Sequence, residues 1–232
     1  MDDERTRTRR RIVEKAADIL ERDGFQAVST RSVASAAGVR AASLYGLFGD
    51  MDGLLGAVAV HAFDRYLAEK RELTSTDDPV DDVRRGWDMH VDFGLRHPAL
   101  YVLMFGASRL GRQPPAAGEA YDQLVRFFDR VAAAGRLRVP STTAASLSVA
   151  AGTGITLALI ATPAAERDLE LSARMRESIV ASVITDAPAP KGAGLAALAL
   201  ALDAALGADG DGLPLRRTET ALMRDWLHQL AR

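Results

Sequence analysis

Apolar residues recur every three to four positions along most of the chain, the spacing of one face of an α-helix. Ile12, Ala16, Ile19 and Leu20 mark a first helix, which Asp23-Gly24 ends with a residue suited to a left-handed cap. Ser29 or Thr30 caps a short second helix through Ala36, Ala37-Gly38-Val39 reads as a tight turn, and a third short helix is predicted from about Arg40 to Leu47. A long helix begins near Met51 and carries Leu54, Leu55, Val58, Ala62 and Leu67. Breaks with turn or stop chemistry follow at Thr74–Pro79, His97-Pro98, Gly111–Pro115, Gly135–Pro140, Thr162-Pro163 and Ala187–Gly194. No segment alternates with period two for long, and Val and Ile are not clustered as strands need. The pattern therefore predicts an all-α fold.

The totals narrow the class. The 232 residues are 48% hydrophobic and 26% charged, the balance of a globular protein. There is no cysteine, which excludes disulfides, thiolate metal sites and cysteine nucleophiles. The start, MDDERTRTRRR, has no apolar stretch behind its basic residues and does not read as a secretory signal, so a cytoplasmic location is expected. The formal net charge of −2 means that any affinity for nucleic acid must come from a local patch. Arg5, Arg7, Arg9, Arg10 and Arg11 form one candidate. The same run also reads as a solvated, frayed terminus. From Ser141 to Ala165 no residue is charged, a length that suits a bilayer span. Its many Ser, Thr and Gly residues and the lack of an aromatic belt argue instead for a helix buried on most sides, as at a dimer interface or bundle centre, with no membrane partner.

Residues 8 to 55 carry the functional signal. Two short helices joined through Gly38 have the spacing of a helix-turn-helix, in which the first helix braces on the phosphate backbone and the second enters the major groove. Val33, Ala37, Val39 and Leu44 fill the core between them, and Ile12, Ala16, Leu20, Phe25 and Phe48 close it from below. The stretch GFQAVSTRSVASAAGVRAASLYGLFGDMDGLL resembles the DNA-binding domain of the TetR family of regulators. The matching residues are Gly24, Phe25, Ser29, Thr30, Val33, Ala34, Ala37, Gly38, Val39, Leu44, Tyr45, Phe48, Leu54 and Leu55, in order and without a gap.

The resemblance implies an N-terminal helix-turn-helix domain over residues 1–50 and a helical ligand-binding and dimerisation domain over 51–232. It implies that Thr30 and Arg31 open the bracing helix, that Arg40, Ala41, Ala42, Ser43, Tyr45 and Gly46 face the groove, and that the Tyr45 hydroxyl bonds a phosphate. Three departures bear on affinity. Arg40 stands where the family has a capping Ser, and Leu47 where it has His. The basic residue that opens the long helix is missing from Gly49-Asp50-Met51-Asp52. Ala41, Ala42 and Gly46 offer little for bidentate base reading, which leaves Arg40, Arg31, methyl contacts and DNA shape.

Beyond residue 51 the resemblance implies a fold more than a ligand. Trp87, His90 and Phe93, followed by His97-Pro98-Ala99-Leu100-Tyr101, Met104 and Phe105, look like the family's helix-His-Pro-helix corner, with Pro98 at a first helical position. Trp87, His90, Phe93, Tyr101, Met104, Phe105, Tyr121 and Phe128 are the candidates for an effector cavity with His90 as its polar anchor. Residue by residue, plain core packing explains them better; as a set, some of them are expected to line a cavity. His61, His90, His97 and His228 share no ligand spacing, so no metal is expected, and no cofactor. A homodimer is expected through the uncharged helix 141–162 and the helix from about 165 to 184, the latter with Leu169, Leu171, Met175, Ile179, Val180 and Val183 on its apolar face. The expected function is a ligand-responsive DNA-binding regulator, a repressor released from a palindromic operator by a small apolar or amphipathic effector. The alternatives are a helical ligand-binding dimer with weakened or lost DNA binding and an all-helical enzyme. For an enzyme there is no nucleophile elbow, phosphate loop or metal-ligand helix motif.

Overall fold

The structure is a computed structural model that describes residues 2–106, 115–185, 195–209 and 214–231. Among these residues there are eleven α-helices and no strand: α1 (Asp2–Asp23), α2 (Thr30–Ala37), α3 (Ala41–Phe48), α4 (Met51–Glu72), α5 (Pro79–Arg96), α6 (Pro98–Phe105), α7 (Pro115–Ala133), α8 (Ser141–Ala161), α9 (Leu169–Val183), α10 (Leu195–Asp209) and α11 (Arg217–Leu230). The all-α expectation holds, with helix ends within a few residues of those read from the periodicity. The expected breaks at Gly111–Pro115 and Ala187–Gly194 fall mostly outside the described residues.

The chain divides into two compact units, Met1–Glu72 with Asp92–Ala120, and Leu73–Val91 with Tyr121–Arg232. In the first, α1 packs on α2, α4 and α6. Ile12, Ala16, Leu20, Val33, Leu54, Val58, Leu67 and Leu100 are almost fully removed from water, and each large side chain among them stabilises the fold by about 1.5–3 kcal/mol. Phe25 departs from the expected core role. It lies in a short 3-10 turn (Phe25–Ala27) and stays 39% exposed, because that turn carries the chain around the outside of the α1–α2 corner.

The second unit has its core between α7, α8 and α9, where Phe128, Val131, Ala144, Ala145, Val180 and Val183 are buried together with Val80 and Val83 of α5. The segment after α7 meets the end of α9 through an antiparallel bridge between Leu137 and Ile184. α10 and α11 pair through Ala199, Leu206 and Leu227. Inside this pair Asp203 accepts hydrogen bonds from Arg224 Nε (2.7 Å) and His228 Nε2 (3.1 Å).

Helix α8 is long and apolar enough to cross a membrane by length and composition. Within the single chain it is buried along one side, at Ala144, Ala145, Ser148, Gly152, Ile155 and Leu159. Thr143, Leu147, Ala150, Gly154 and Ala158 face outward. The outward side thus carries mostly small residues, with Leu147 as its one large apolar side chain.

Candidate nucleic-acid interface

Local chemistry explains the shape of the α2–α3 pair. Ser29 is the N-cap of α2 and forms a reciprocal capping box with Ser32, whose hydroxyl also donates to Ala27 O (2.7 Å). Gly38 ends α2 at φ 65°, a left-handed conformation that costs a side chain with a Cβ about 1–2 kcal/mol. Two residues later α3 begins with Arg40 as its N-cap and no side-chain capping bond. The guanidinium that replaces the usual hydroxyl is therefore not spent on the helix it opens. Gly49, at φ 80°, ends α3.

Three side chains anchor this pair. Val33, Ala37 and Leu44 point into the α1–α4 core and are buried. The opposite surface is open. Arg31, Arg40, Ala41, Ala42, Tyr45 and Gly46 are exposed, while Thr30 and Ser43 are half-buried. Tyr45 is 57% exposed and its hydroxyl lies 3.5 Å from Thr30 Oγ1, so one hydroxyl pair spans the two helices. Thr30, Leu44, Tyr45, Asp50, Met51 and Leu54 line a shallow dimple between α2, α3 and the start of α4. Asp50 is occupied there, accepting from the Gly53 amide at 2.7 Å. The acid thus serves as the cap of α4.

Arg5, Arg7, Arg9, Arg10 and Arg11 are all exposed on α1. α1 runs unbroken from Asp2, and Arg9 lies over the Phe48 ring at 5.2 Å, which ties the first turns of α1 to the end of α3.

The candidate effector residues separate into two groups. In the first unit, Phe93, Tyr101 and Met104 are buried and Phe105 is half-buried. Phe63 and Tyr66 of α4, absent from the sequence-based candidates, complete that aromatic cluster, with ring pairs at 5.4 Å (Phe63–Phe105), 5.3 Å (Tyr66–Phe93) and 4.7 Å (Tyr101–Phe105). Burial, with Tyr101 beside it, pushes the Tyr66 hydroxyl well above the ordinary phenol range. Lys70, one turn on from Tyr66, is also buried and donates to Ala120 O at 3.0 Å. Positions 63, 66 and 70 share one face of α4, a spacing that is legible in the sequence of that helix itself.

In the second unit, Trp87 is buried and its indole N–H donates to Ser172 Oγ at 3.1 Å. His90 packs against Gly152, so closely that a Cβ there would sit 3.4 Å from the imidazole. Tyr121 donates to Thr142 O (3.0 Å), and Phe128 lies at the centre of the core. Among the described residues no group of three or more His, Asp or Glu is placed to hold a metal ion.

Residues 12–58 match the model of the bacterial regulatory proteins of the tetR family. Residues 12–58 therefore have the pattern of a tetR-family DNA-binding domain. The matched segment carries the α2–Gly38–α3 pair just described, the helix-turn-helix of that family's DNA-binding domain. Its fold is shared with solved structures of low sequence identity. A transcriptional regulator from Rhodococcus sp. Rha1 is 20% identical, with a TM-score of 0.60 over 75% of this chain and 97% of that one. The TetR family regulator PfmR from Thermus thermophilus is 20% identical, with a TM-score of 0.56 over 73% and 97%. The multidrug binding protein EbrR, solved with imidazole, is 22% identical, with a TM-score of 0.52 over 77% and 96%. No curated protein matches the chain.

Proposed function

We propose that the chain is a tetR-family DNA-binding regulator, a cytoplasmic homodimeric repressor that a small apolar or amphipathic effector releases from a palindromic operator. Its DNA-binding domain comprises residues 1–50 and its effector and dimer domain residues 51–232. The observation that carries the reading is the exposed surface of α3. Arg40, Ala41, Ala42, Tyr45 and Gly46 project from a helix whose other side is anchored by Leu44, and among the described residues of the same unit none is packed over them. Arg40 reads base edges and phosphate, Ala41 and Ala42 contact thymine methyl groups, and Thr30, Arg31, Ser43 and Tyr45 position the backbone. Two copies place their α3 helices about 34–36 Å apart, one turn of duplex.

The outward strip of α8 and the exposed Leu169, Leu171 and Met175 of α9 support a dimer through these helices. Gly154 has open space where a Cβ would be. Glu at that position fits the single chain but leaves an unpaired charge in a helix–helix contact, at a cost of about 3–5 kcal/mol, or at least a hundredfold in dimer affinity. A second arrangement is favoured by α10 and α11, which expose Leu198, Leu202, Leu222 and Trp226. Analytical ultracentrifugation of Gly154→Glu and Trp226→Glu separates the two, since the variant that dissociates marks the interface. The α8–α9 reading requires it to be Gly154→Glu.

For the effector, the buried rings around Tyr66 and Tyr101 and the Trp87–His90 pair are the candidate linings, with the multidrug binding protein EbrR as the analogy. The test of the whole reading is a selection of random duplexes by the purified protein, with and without a library of metabolites. An enriched palindrome that a metabolite releases is the expected result. The acids Asp50 and Asp52 favour, as a second reading, a ligand-binding dimer that has lost DNA contact, and failure to enrich any duplex would establish it.

A further inference from the structure

The junction of α1, α4, α5 and α6 holds a charged cluster to which neither DNA contact nor effector binding assigns a role. His97, the residue between α5 and α6, is held through its backbone, its N–H donating to Phe93 O (2.9 Å) and its C=O accepting from Tyr101 N (2.8 Å). Its side chain is 16% exposed. The imidazole Nδ1 is hydrogen-bonded to Glu21 of α1. Nε2 faces Arg65 Nη2 of α4 at 3.3 Å and Arg96 Nη1 of α5 at 3.5 Å. Arg65 also donates to the other Glu21 oxygen at 3.1 Å. Arg96 is itself held by Glu69 of α4 (2.6 Å) and Asp92 of α5 (2.8 Å), and the Phe93 ring lies 5.1 Å from the imidazole.

Guanidinium groups only donate. With donors on its Nε2 side, the ring must accept there and carry its proton on Nδ1, toward the Glu21 carboxylate. The neutral ring is thus the one form that satisfies all three neighbours. A second proton on Nε2 would aim an N–H of a cation at two cations 3.3 and 3.5 Å away. Histidine is the side chain whose charge changes between about pH 5 and pH 8. Glu21 lies in the last turn of α1, the helix on which the α2–α3 pair is packed, and Arg65 lies on α4, which buries Leu54 and Val58 beneath the same pair.

We propose that Glu21, His97 and Arg65 form a proton-operated latch between α1 and α4, which opens on acidification and lowers DNA affinity. Protonated His97 keeps Glu21 but turns an N–H of a cation toward Arg65 and Arg96, so α1 stays tied to α6 while its tie to α4 is reduced from the three-way cluster to the single Arg65–Glu21 pair. The latch rests on the DNA-binding reading for its output but not for its chemistry, and the test has one arm for each.

In the first arm, ¹⁵N chemical shifts of the full-length wild-type protein report the His97 tautomer and the Arg65 side chain from about pH 8 to pH 5.5. The Nδ1–H tautomer at high pH, with the Arg65 Nε signal moving in step with His97, is the expected result. An Nε2–H tautomer, or an Arg65 signal indifferent to the His97 titration, overturns the latch whatever the protein does with DNA. In the second arm, the affinity for a duplex selected by the purified protein is followed over the same pH range at constant salt, for the wild type and for His97→Gln. Gln remains a neutral acceptor that does not titrate. Acidification makes any protein more positive and tightens DNA binding. A wild-type affinity that falls about five- to tenfold while His97→Gln does not is therefore specific to the latch. Parallel curves overturn it. Absence of DNA binding at every pH contradicts the regulator reading instead, and leaves the latch to be decided by the first arm.

Discussion

The hydroxyl of Tyr45 is the smallest group on which DNA affinity is expected to turn. The ring is mostly in water, so Tyr45→Phe leaves melting unchanged, whereas a hydrogen bond to a charged phosphate is worth about 1.5–3 kcal/mol. Fluorescence anisotropy with a selected duplex is expected to show about a tenfold loss or more. Arg40→Ala removes the one long basic side chain at the start of α3 and is expected to cost about 1–3 kcal/mol, measured the same way at matched salt. Gly38 acts through the backbone rather than through contacts. Open space surrounds the position of its missing Cβ, so the penalty of Gly38→Val is the left-handed conformation alone, about 1–2 kcal/mol, read as a lower melting temperature. Asn at the same position is expected to cost less, because it visits that region more readily.

Single elements show where sequence is sufficient. The α2–turn–α3 pair is legible because its determinants are local: a Ser cap, a left-handed Gly and apolar residues at helical spacing lie within about twenty residues of one another. Phe25 misleads, because an aromatic beside a helix end satisfies the pattern whether it turns in or out. The His97 cluster and the Asp203–Arg224–His228 group carry no sequence signal, since their partners lie as far as 76 and 25 positions apart. Two carboxyls near the α7–α8 corner and in the α10–α11 pair should respond to pH in opposite ways. Burial pushes the pKa of Asp129 up, the nearby Asp203 charge adds to it, and a bond with Ser141 and the charge of Arg224 only partly oppose it. A carboxyl whose folded pKa is raised supports the fold while protonated and loses that support as pH rises through the raised value. Asp129→Asn is therefore expected to raise the melting temperature at pH 7, and the gain should vanish as the pH falls through the ordinary carboxylate range. For Asp203, burial works against its charge, but bonds from Arg224 and His228 prevail and hold its pKa low. Asp203→Asn should destabilise at pH 7, with the difference shrinking in acid.

Across the chain as a whole, architecture is far easier to read from the residues than recognition is. Helical periodicity carries the number and order of helices, but which apolar faces meet a second chain depends on what the first chain leaves uncovered. α8 shows the difference: the absence of charge predicts burial in a bundle or a dimer, and within one chain one side is buried while Leu147, Ala150, Gly154 and Ala158 stay open. The start of α4 sets a further test of DNA contact. Met51→Lys restores a base beside Thr30 and Tyr45 in the dimple that Asp50 lines. One added phosphate contact should steepen the dependence of log affinity on log salt by about 0.9. That salt dependence, taken for a selected duplex with the wild type and with Arg40→Ala, decides whether α3 is a DNA-reading helix. A steep negative slope for the wild type, with affinity weakened in the variant, is what an exposed α3 bound in a major groove predicts. Salt-independent or absent binding, or identical curves for the two proteins, would contradict it.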